Sequence, residues 1–239
     1  MSIVKHIPNA ITSMNLLCGI VGVICAVYGM PDYALILMVL AAVFDFCDGL
    51  AARLLKAYSP IGKELDSLAD MVSFGVLPAL VMMNCMQEHG VPVWLCYIAL
   101  FIAVMSAVRL AKFNVDTRQT TDFLGVATPT CALLCASLAS YIHGNPDSFL
   151  SGWAGTVWFL PLLSVVLGLL LVSEIPMFGM KVAPGHKLLD AKRIVFLALA
   201  VVAVVLALVI GKDVSLAILL VFSIYLIENL ILYILPAKK

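Results

Sequence analysis

One stretch of the chain decides the fold: residues 33–53 read YALILMVLAAVFDFCDGLAAR. Residues 33–44 form an apolar run without a charged side chain, which is typical of a segment that lies inside a membrane. The stretch then carries two aspartates, a glycine and an arginine. Charged side chains in or beside a membrane span are energetically costly, and they therefore indicate a functional site.

The rest of the sequence has the same apolar character. The chain has 239 residues, of which 64% are hydrophobic and 12% are charged. Ordinary soluble domains are about 45–50% apolar and about 25% charged, so the composition excludes a soluble globular enzyme, a disordered chain and a disulfide-stapled secreted domain. The formal net charge is zero, and without a basic excess we expect no nucleic-acid partner. No pattern of a removable signal peptide precedes the first apolar run.

The apolar runs predict an all-α, polytopic integral membrane protein. A membrane span needs about 20 predominantly apolar residues, and the chain holds about eight such runs separated by turn residues. We expect a single membrane domain over residues 1–239, with the acidic motif at 45–70 and additional helices towards the C-terminus. The predicted spans are residues 12–30, 33–52, 66–86, 92–111, 124–142, 154–173, 193–210 and 214–235.

The Lys and Arg residues are distributed unevenly between the two sides of such a bundle. If the eight spans alternate in direction, thirteen of the fourteen Lys and Arg residues fall on one side and Lys212 alone on the other. Cytoplasmic loops carry the excess of Lys and Arg, so we expect both termini in the cytoplasm. The acidic motif then lies at the cytoplasmic boundary of the membrane.

The acidic motif falls on two helical stripes. Residues spaced three or four apart share one face of a helix, and the short connection predicts two antiparallel neighbours whose stripes face each other. Four carboxylates would then converge near the membrane boundary. The first stripe comprises Asp45, Asp48, Gly49, Ala52 and Arg53, and the second comprises Gly62, Asp66 and Asp70.

Four close carboxylates predict a metal site. They cannot all stay ionised at short range without cations, and oxygen ligands without His or Cys favour Mg²⁺, Mn²⁺ or Ca²⁺. Two such ions about 4 Å apart suit a displacement at phosphorus. Two other interpretations stay open, since small residues also permit close helix packing and acidic residues line the ion pathways of transporters.

The complete pattern, D-x2-D-G-x2-A-R-x8-G-x3-D-x3-D over residues 45–70, resembles that of the CDP-alcohol phosphotransferases. This resemblance implies a membrane enzyme in which an alcohol displaces CMP from a CDP-linked donor with the help of two divalent cations, Mg²⁺ or Mn²⁺. It implies that Asp70 is also the general base. By the same resemblance the metal ligands are Asp45, Asp48, Asp66 and Asp70, and the CDP moiety is bordered by Gly49, Ala52, Arg53 and Gly62.

Residues 7–15 also resemble the start of this family. Residues 109–115 and 123–129 resemble its membrane-embedded bacterial branch that uses serine, and the eight predicted spans, which exceed the family's common six-helix core, point to the same branch. The resemblance implies CDP-diacylglycerol and L-serine as substrates, contact with membrane lipid, and a homodimer. It also implies a location in the bacterial inner membrane with the active site facing the cytoplasm.

The residues that bind the acceptor are less defined by the sequence. Arg109 and Lys112 could contact the serine carboxylate or a phosphate, or could anchor the end of a span. Asn114 could support serine or cap a loop, and Glu174 could border the acceptor pocket or end a helix. Transfer to another alcohol, such as glycerol 3-phosphate or inositol phosphate, stays open, as does a divalent-cation transporter built around the acidic residues.

Overall fold

The computed structural model describes residues 6–116, 123–178, 191–207, 209 and 213–235. These residues form a helical bundle, and the strands described are a single antiparallel pair, β1 (Phe123–Leu124) with β2 (Pro176–Met177). The helices are α1 Ile7–Val27, α2 Pro31–Leu54, α3 Pro60–Asp70, α4 Leu77–Glu88, α5 Val93–Cys96, α6 Leu100–Val115, α7 Thr128–Gly144, α8 Phe149–Ala154, α9 Phe159–Val172, α10 Ala191–Leu206 and α11 Val214–Ile234.

Several of these helices are long and apolar enough to cross a membrane, which confirms the all-α membrane class. Among the described residues there are five: Ile7–Val27, Pro31–Leu54, Pro60–Glu88, Val93–Val115 and Val214–Ile234. The predicted fifth, sixth and seventh spans also coincide with helices, but α7, α9 and α10 have only 17, 14 and 16 residues. The count of eight spans stays a prediction.

The third long helix begins earlier than the predicted start at residue 66. Ser59 caps it, because its Oγ accepts a hydrogen bond of 3.0 Å from the backbone N–H of Gly62. Pro60 occupies the first helical position, where the missing N–H costs nothing. These two local signals outweigh the polar character of residues 60–66, so both Asp66 and Asp70 lie inside a helix.

A π-helical segment, Met71–Val76, joins α3 to α4 and follows Asp70 directly. Pro78 supplies the local cause, since a proline in a helix donates no backbone hydrogen bond and its ring crowds the preceding turn. A π segment absorbs such a mismatch without ending the helix, and such segments are frequent at functional sites.

Helix α1 packs against α2, α3, the π segment and α4, and it approaches the π segment very closely. A Cβ atom added at Gly19 would lie 2.9 Å from Ser73 Cα, and one added at Gly22 would lie 2.6 Å from Leu77 Cδ2. At Gly19 the neighbouring atom belongs to the backbone, so only glycine permits this approach there. The packing brings the polar face of α1 next to the acidic motif.

The second half of the bundle packs α6 against α9, and α7 against α2, α4 and α11. The segment before α7 is held against the end of α9, where Gly125 N donates to Ile175 O at 2.9 Å and Val126 N to Leu170 O at 3.0 Å. Large apolar side chains cover the outside of α1, α2, α10 and α11, including Val27 and Ile36. Such exposed apolar surface indicates contact with lipid.

Several cations behind the orientation argument lie outside the described residues, so the orientation stays a prediction. These are Lys5, Arg118, Lys181, Lys187, Lys212, Lys238 and Lys239, together with the side chain of Lys192.

Candidate active site

Three of the four predicted metal-binding carboxylates converge between α2 and α3. One carboxylate oxygen from each of Asp45, Asp48 and Asp66 lies within 4.8 Å of the other two. Asp45 and Asp48 share a face of α2 because three residues make nearly one helical turn, and Asp66 faces them from α3. We call these residues the three-carboxylate group.

The three-carboxylate group fits a divalent cation. Asp48 Oδ2 and Asp66 Oδ1 are buried and have no hydrogen-bond partner among the residues that the structure describes, whereas buried polar atoms normally have one. Negative charges this close repel each other. A cation between them would relieve the repulsion and supply the missing contacts, and oxygen ligands of this kind suit Mg²⁺ or Mn²⁺.

Asp70 lies one helical turn after Asp66 and is not a member of the three-carboxylate group. Its side chain is buried, and its Oδ1 accepts a hydrogen bond of 3.2 Å from Asn15 Nδ2 on α1. It nevertheless experiences the negative charges of the other three carboxylates. Its roles as fourth metal ligand and general base stay predictions.

A cleft of about 210 Å³ opens beside the three-carboxylate group. Three of the four residues predicted to border the CDP moiety line it, namely Gly49, Ala52 and Gly62, and Thr12 and Tyr58 complete part of the wall. We call it the donor cleft. Its position next to the carboxylates would suit a ligand whose phosphates must meet bound cations.

The two glycines of the donor cleft differ in what surrounds them. A Cβ atom added at Gly49 meets no atom within 4 Å, so this position leaves open space beside Asp48. A Cβ atom added at Gly62 would lie 2.9 Å from both Asn9 Oδ1 and Ser59 Oγ. Gly62 therefore permits close packing and the cap of α3, while Gly49 alone of the two leaves room for a ligand.

Arg53, the fourth predicted CDP-binding residue, is exposed at the end of α2 and does not line the donor cleft. Its Nε donates a hydrogen bond of 2.9 Å to the backbone oxygen of Gly49.

Sequence reasoning missed the part of α1 that completes the site. Thr12 and Asn15 are buried, at 3% and 0% exposure, and Thr12 hydrogen bonds with Asp48. Their spacing of three residues places them on one face of an otherwise apolar helix. That polar pair in an apolar segment is the signal that could have identified them.

A second cleft, of about 300 Å³, opens between α6 and the end of α9. Arg109, Lys112 and Glu174 line it. Arg109 is 7% exposed, its Nε has no hydrogen-bond partner within the described part of the chain, and it is attracted to Asp70. A buried guanidinium donor that faces a cleft can bind an anionic group. We call this space the acceptor cleft.

Asn114 does not line the acceptor cleft. Its Nδ2 donates to Ser67 Oγ at 2.8 Å, and its backbone oxygen accepts from Lys63 Nζ at 3.0 Å. Both bonds tie the end of α6 to α3. The structure therefore gives Asn114 a structural contact, and its predicted contact with serine is untested.

Membrane-length helices that place a three-carboxylate group beside a cleft define an integral membrane protein with a candidate metal site. The model of the CDP-alcohol phosphatidyltransferase family matches residues 5–170. The chain belongs to this family, as the acidic motif predicted, and it is therefore a transferase.

Relatives with assigned activities agree with this membership. A CDP-diacylglycerol–serine O-phosphatidyltransferase of Mycobacterium bovis is 34% identical over 208 residues, which cover 84% of this chain and 71% of the relative. The enzyme of that name from Helicobacter pylori is 31% identical and covers 82% of this chain and 81% of the relative. The one from Bacillus subtilis is 31% identical and covers 65% and 86%.

Proposed function

We propose that the chain transfers the phosphatidyl group of CDP-diacylglycerol to the hydroxyl of L-serine and releases CMP. The observation that carries this proposal is the match of 84% of the chain to a relative with that activity. The donor cleft beside the three-carboxylate group supports it, because a donor with a pyrophosphate needs a site where phosphate meets metal.

The metal site consists of the three-carboxylate group and Asp70, and it holds two divalent cations, Mg²⁺ or Mn²⁺. When bound, such ions neutralise the charge that develops on the transferring phosphate and the leaving group. The unpartnered oxygens of Asp48 and Asp66 support this assignment. Gly49, Ala52, Gly62 and, from the rim, Arg53 surround the CDP moiety.

Asp70 acts as general base. The serine hydroxyl oxygen forms a new bond to the phosphorus of the phosphatidyl group, the bond from that phosphorus to the CMP oxygen breaks, and the hydroxyl proton passes to the Asp70 carboxylate. A base must be within hydrogen-bond reach of the proton that it takes. Asp70 meets this requirement best of the four acids, because it lies outside the three-carboxylate group and its charge attracts Arg109 of the acceptor cleft.

The acceptor cleft binds serine as a zwitterion. Arg109 receives the carboxylate with Lys112 nearby, and Glu174 on the opposite wall attracts the ammonium group. A phosphorylated acceptor such as glycerol 3-phosphate or inositol phosphate would meet repulsion from Glu174, so the lining favours an amino acid. Asn114 supports this cleft only indirectly, through its bond to Ser67.

The chain forms one membrane domain over residues 1–239 that crosses the membrane eight times, with both termini in the cytoplasm. The charge asymmetry of the sequence supports this topology. The active site then faces the cytoplasm of a bacterium from its inner membrane, where a soluble acceptor and a lipid donor can meet. We further propose a homodimer, on the family resemblance alone.

The decisive experiment offers labelled L-serine, glycerol 3-phosphate and inositol phosphate separately to the purified protein, with CDP-diacylglycerol and Mn²⁺ or Mg²⁺. We expect labelled lipid and CMP from serine alone, loss of both with EDTA, and loss in Asp70→Asn. Asp147→Asn, an exposed acid between α7 and α8, is the matched control and should keep full activity.

Two results would contradict the proposal in different ways. Label from another acceptor would retain the mechanism and replace the substrate. Folded protein that neither releases CMP nor transfers label would favour a divalent-cation transporter, which would instead show metal flux in vesicles.

A further inference from the structure

A buried asparagine on α1 contacts the carboxylate that we assign as the base. Asn15 is 0% exposed, and its Nδ2 donates to Asp70 Oδ1 at 3.2 Å. Its backbone oxygen accepts a second hydrogen bond, of 3.1 Å, from Ser73 Oγ. Asn15 of α1 is therefore hydrogen bonded to both ends of the segment 70–73, where α3 continues into the π segment.

The backbone fixes the place of this amide. Gly19 lies one turn after Asn15 on α1, and its missing side chain lets α1 approach Ser73. Because the helix axis is held there, the amide of Asn15 reaches Asp70 from a rigid element. Groups that position catalytic side chains are most effective when they stand on such elements.

The other end of the amide has no comparable partner. Asn15 Oδ1 is buried and accepts no hydrogen bond from any residue that the structure describes. An amide that served only packing would be expected to satisfy both of its ends. Only the N–H end of this buried amide has a hydrogen-bond partner, and that partner is a carboxylate. A role of the N–H group in orienting the carboxylate explains this better than packing does.

We infer that Asn15 is a positioning residue for Asp70. The hydrogen bond to Oδ1 fixes the rotation of the carboxylate, so that the other oxygen, Oδ2, is the one presented to the acceptor hydroxyl. Asn15 itself neither takes the proton nor touches the substrate. This inference rests on the proposed role of Asp70 as general base.

The test replaces Asn15 with leucine, which has a similar volume and no donor. We expect kcat to fall about 10- to 100-fold, which is the usual effect of removing a partner that orients a functional ligand. KM for CDP-diacylglycerol, and the affinity for CDP with Mn²⁺ measured by calorimetry, should change less than about twofold, because an orienting contact acts on the chemical step.

Asn84→Leu is the matched control. Asn84 Nδ2 donates to the backbone oxygen of Ala26, so it also joins an amide to α1, but near the C-terminal end of that helix and away from Asn15. The change should lower thermal stability and leave kcat of the folded enzyme unaltered. Asn15→Gln, which keeps an amide donor, should recover part of the lost rate.

A double-mutant cycle separates this inference from the proposed function. If Asn15 acts through Asp70, Asn15→Leu should cause little further loss in the Asp70→Asn background. An unchanged kcat in Asn15→Leu, an equal loss in Asn84→Leu, or additive losses in the double variant would overturn the positioning role. Full activity in Asp70→Asn would instead overturn the assignment of the base.

Discussion

At the scale of single residues, the three-carboxylate group destabilises the folded protein. Like charges within a few ångströms oppose one another, and two of the carboxylate oxygens have no hydrogen-bond partner in the described part of the chain. Neither feature helps folding without a cation. Functional sites of this kind commonly lower the stability of the protein. Replacing one of the acids should therefore change stability and activity in opposite directions.

Asp66→Asn is expected to make the metal-free protein more stable and the enzyme inactive. Removing one charge relieves repulsion between residue 66 and Asp48, which should raise the melting temperature in EDTA by about 2–4 °C. Activity should fall at least about 100-fold, as a lost electrostatic contact to the reacting group does elsewhere. Thermal unfolding in detergent and CMP release measure the two effects.

Glu64→Gln is the control for this prediction, because Glu64 is an exposed acid on the same helix. It should change neither quantity. A lower melting temperature of Asp66→Asn in EDTA would show that the carboxylate is stabilised without metal.

Gly49→Ala should retain the fold and weaken donor binding. Alanine in a helix interior is favoured over glycine by about 0.5–1 kcal/mol, and the new Cβ meets no neighbour. It does occupy the donor cleft, so KM for CDP-diacylglycerol should rise about 10-fold, the lower end of what one methyl group costs in a fitted pocket. Gly62→Ala should instead lower thermal stability, because its Cβ would crowd Asn9 and Ser59.

The site shows which residues can be predicted from sequence. Asp45, Asp48 and Asp66 follow from local spacing, because helix geometry fixes which residues share a face. Asn15 does not, because its contact with Asp70 joins residues 55 positions apart and depends on how α1 packs.

At the scale of elements, the acceptor cleft depends on a short irregular segment before α7. Gly125 has a positive φ of 74°, which residues with a side chain rarely adopt. Gly125 also lies against the backbone oxygens of Leu171, in α9, and of Ser173, the residue that follows α9. Helix periodicity predicts α7 and α9, but it carries no information about such a contact between their ends.

Gly125→Ala should destabilise the protein by about 1–3 kcal/mol, the usual cost of a residue held in an unfavourable backbone region. Its Cβ would also lie 2.6 Å from Leu171 O and 2.8 Å from Ser173 O. Thermal unfolding and KM for serine should both respond. Gly152→Ala on α8 has open space around its Cβ, so equal losses in the two variants would contradict this account.

Asp213 makes the start of α11 sensitive to pH. Partial burial acts to raise its pKa, but hydrogen bonds from Ser215 and Asn145 outweigh the burial, and the pKa is lowered. A carboxyl group with a lowered pKa stabilises the folded state at pH values above its pKa in the unfolded chain, about 3.9. This contribution is lost as the pH falls through the pKa of the folded state. The melting temperature of the parent should therefore fall more steeply below about pH 4 than that of Asp213→Asn.

At the scale of the whole molecule, hydrophobicity predicts the class of the fold more securely than the number of spans. Helices α9 and α10 have 14 and 16 residues, which at 1.5 Å per residue gives about 21–24 Å. The hydrocarbon layer is about 30 Å thick. These helices can cross only with their flanking residues or with local thinning of the bilayer, and a hydropathy pattern does not show which occurs.

Cysteine labelling with a membrane-impermeant maleimide tests the eight-span topology. Tyr58 and Phe149 are both 73% exposed, and Leu235 is 70% exposed. In intact cells, Phe149→Cys should be labelled, whereas Tyr58→Cys and Leu235→Cys should require permeabilisation. The parent chain is a suitable background, because its seven cysteines are all buried or half-buried.

The pattern of labelling decides between span counts as well as orientations. Residues 149 and 235 lie on opposite sides of the membrane only if the chain crosses it an odd number of times between them. Three crossings, by the regions of α9, α10 and α11, meet this condition. Labelling of Leu235→Cys together with Phe149→Cys in intact cells would mean that one of the short helices does not cross. Labelling of Tyr58→Cys alone would place the donor cleft outside, away from the cytoplasm.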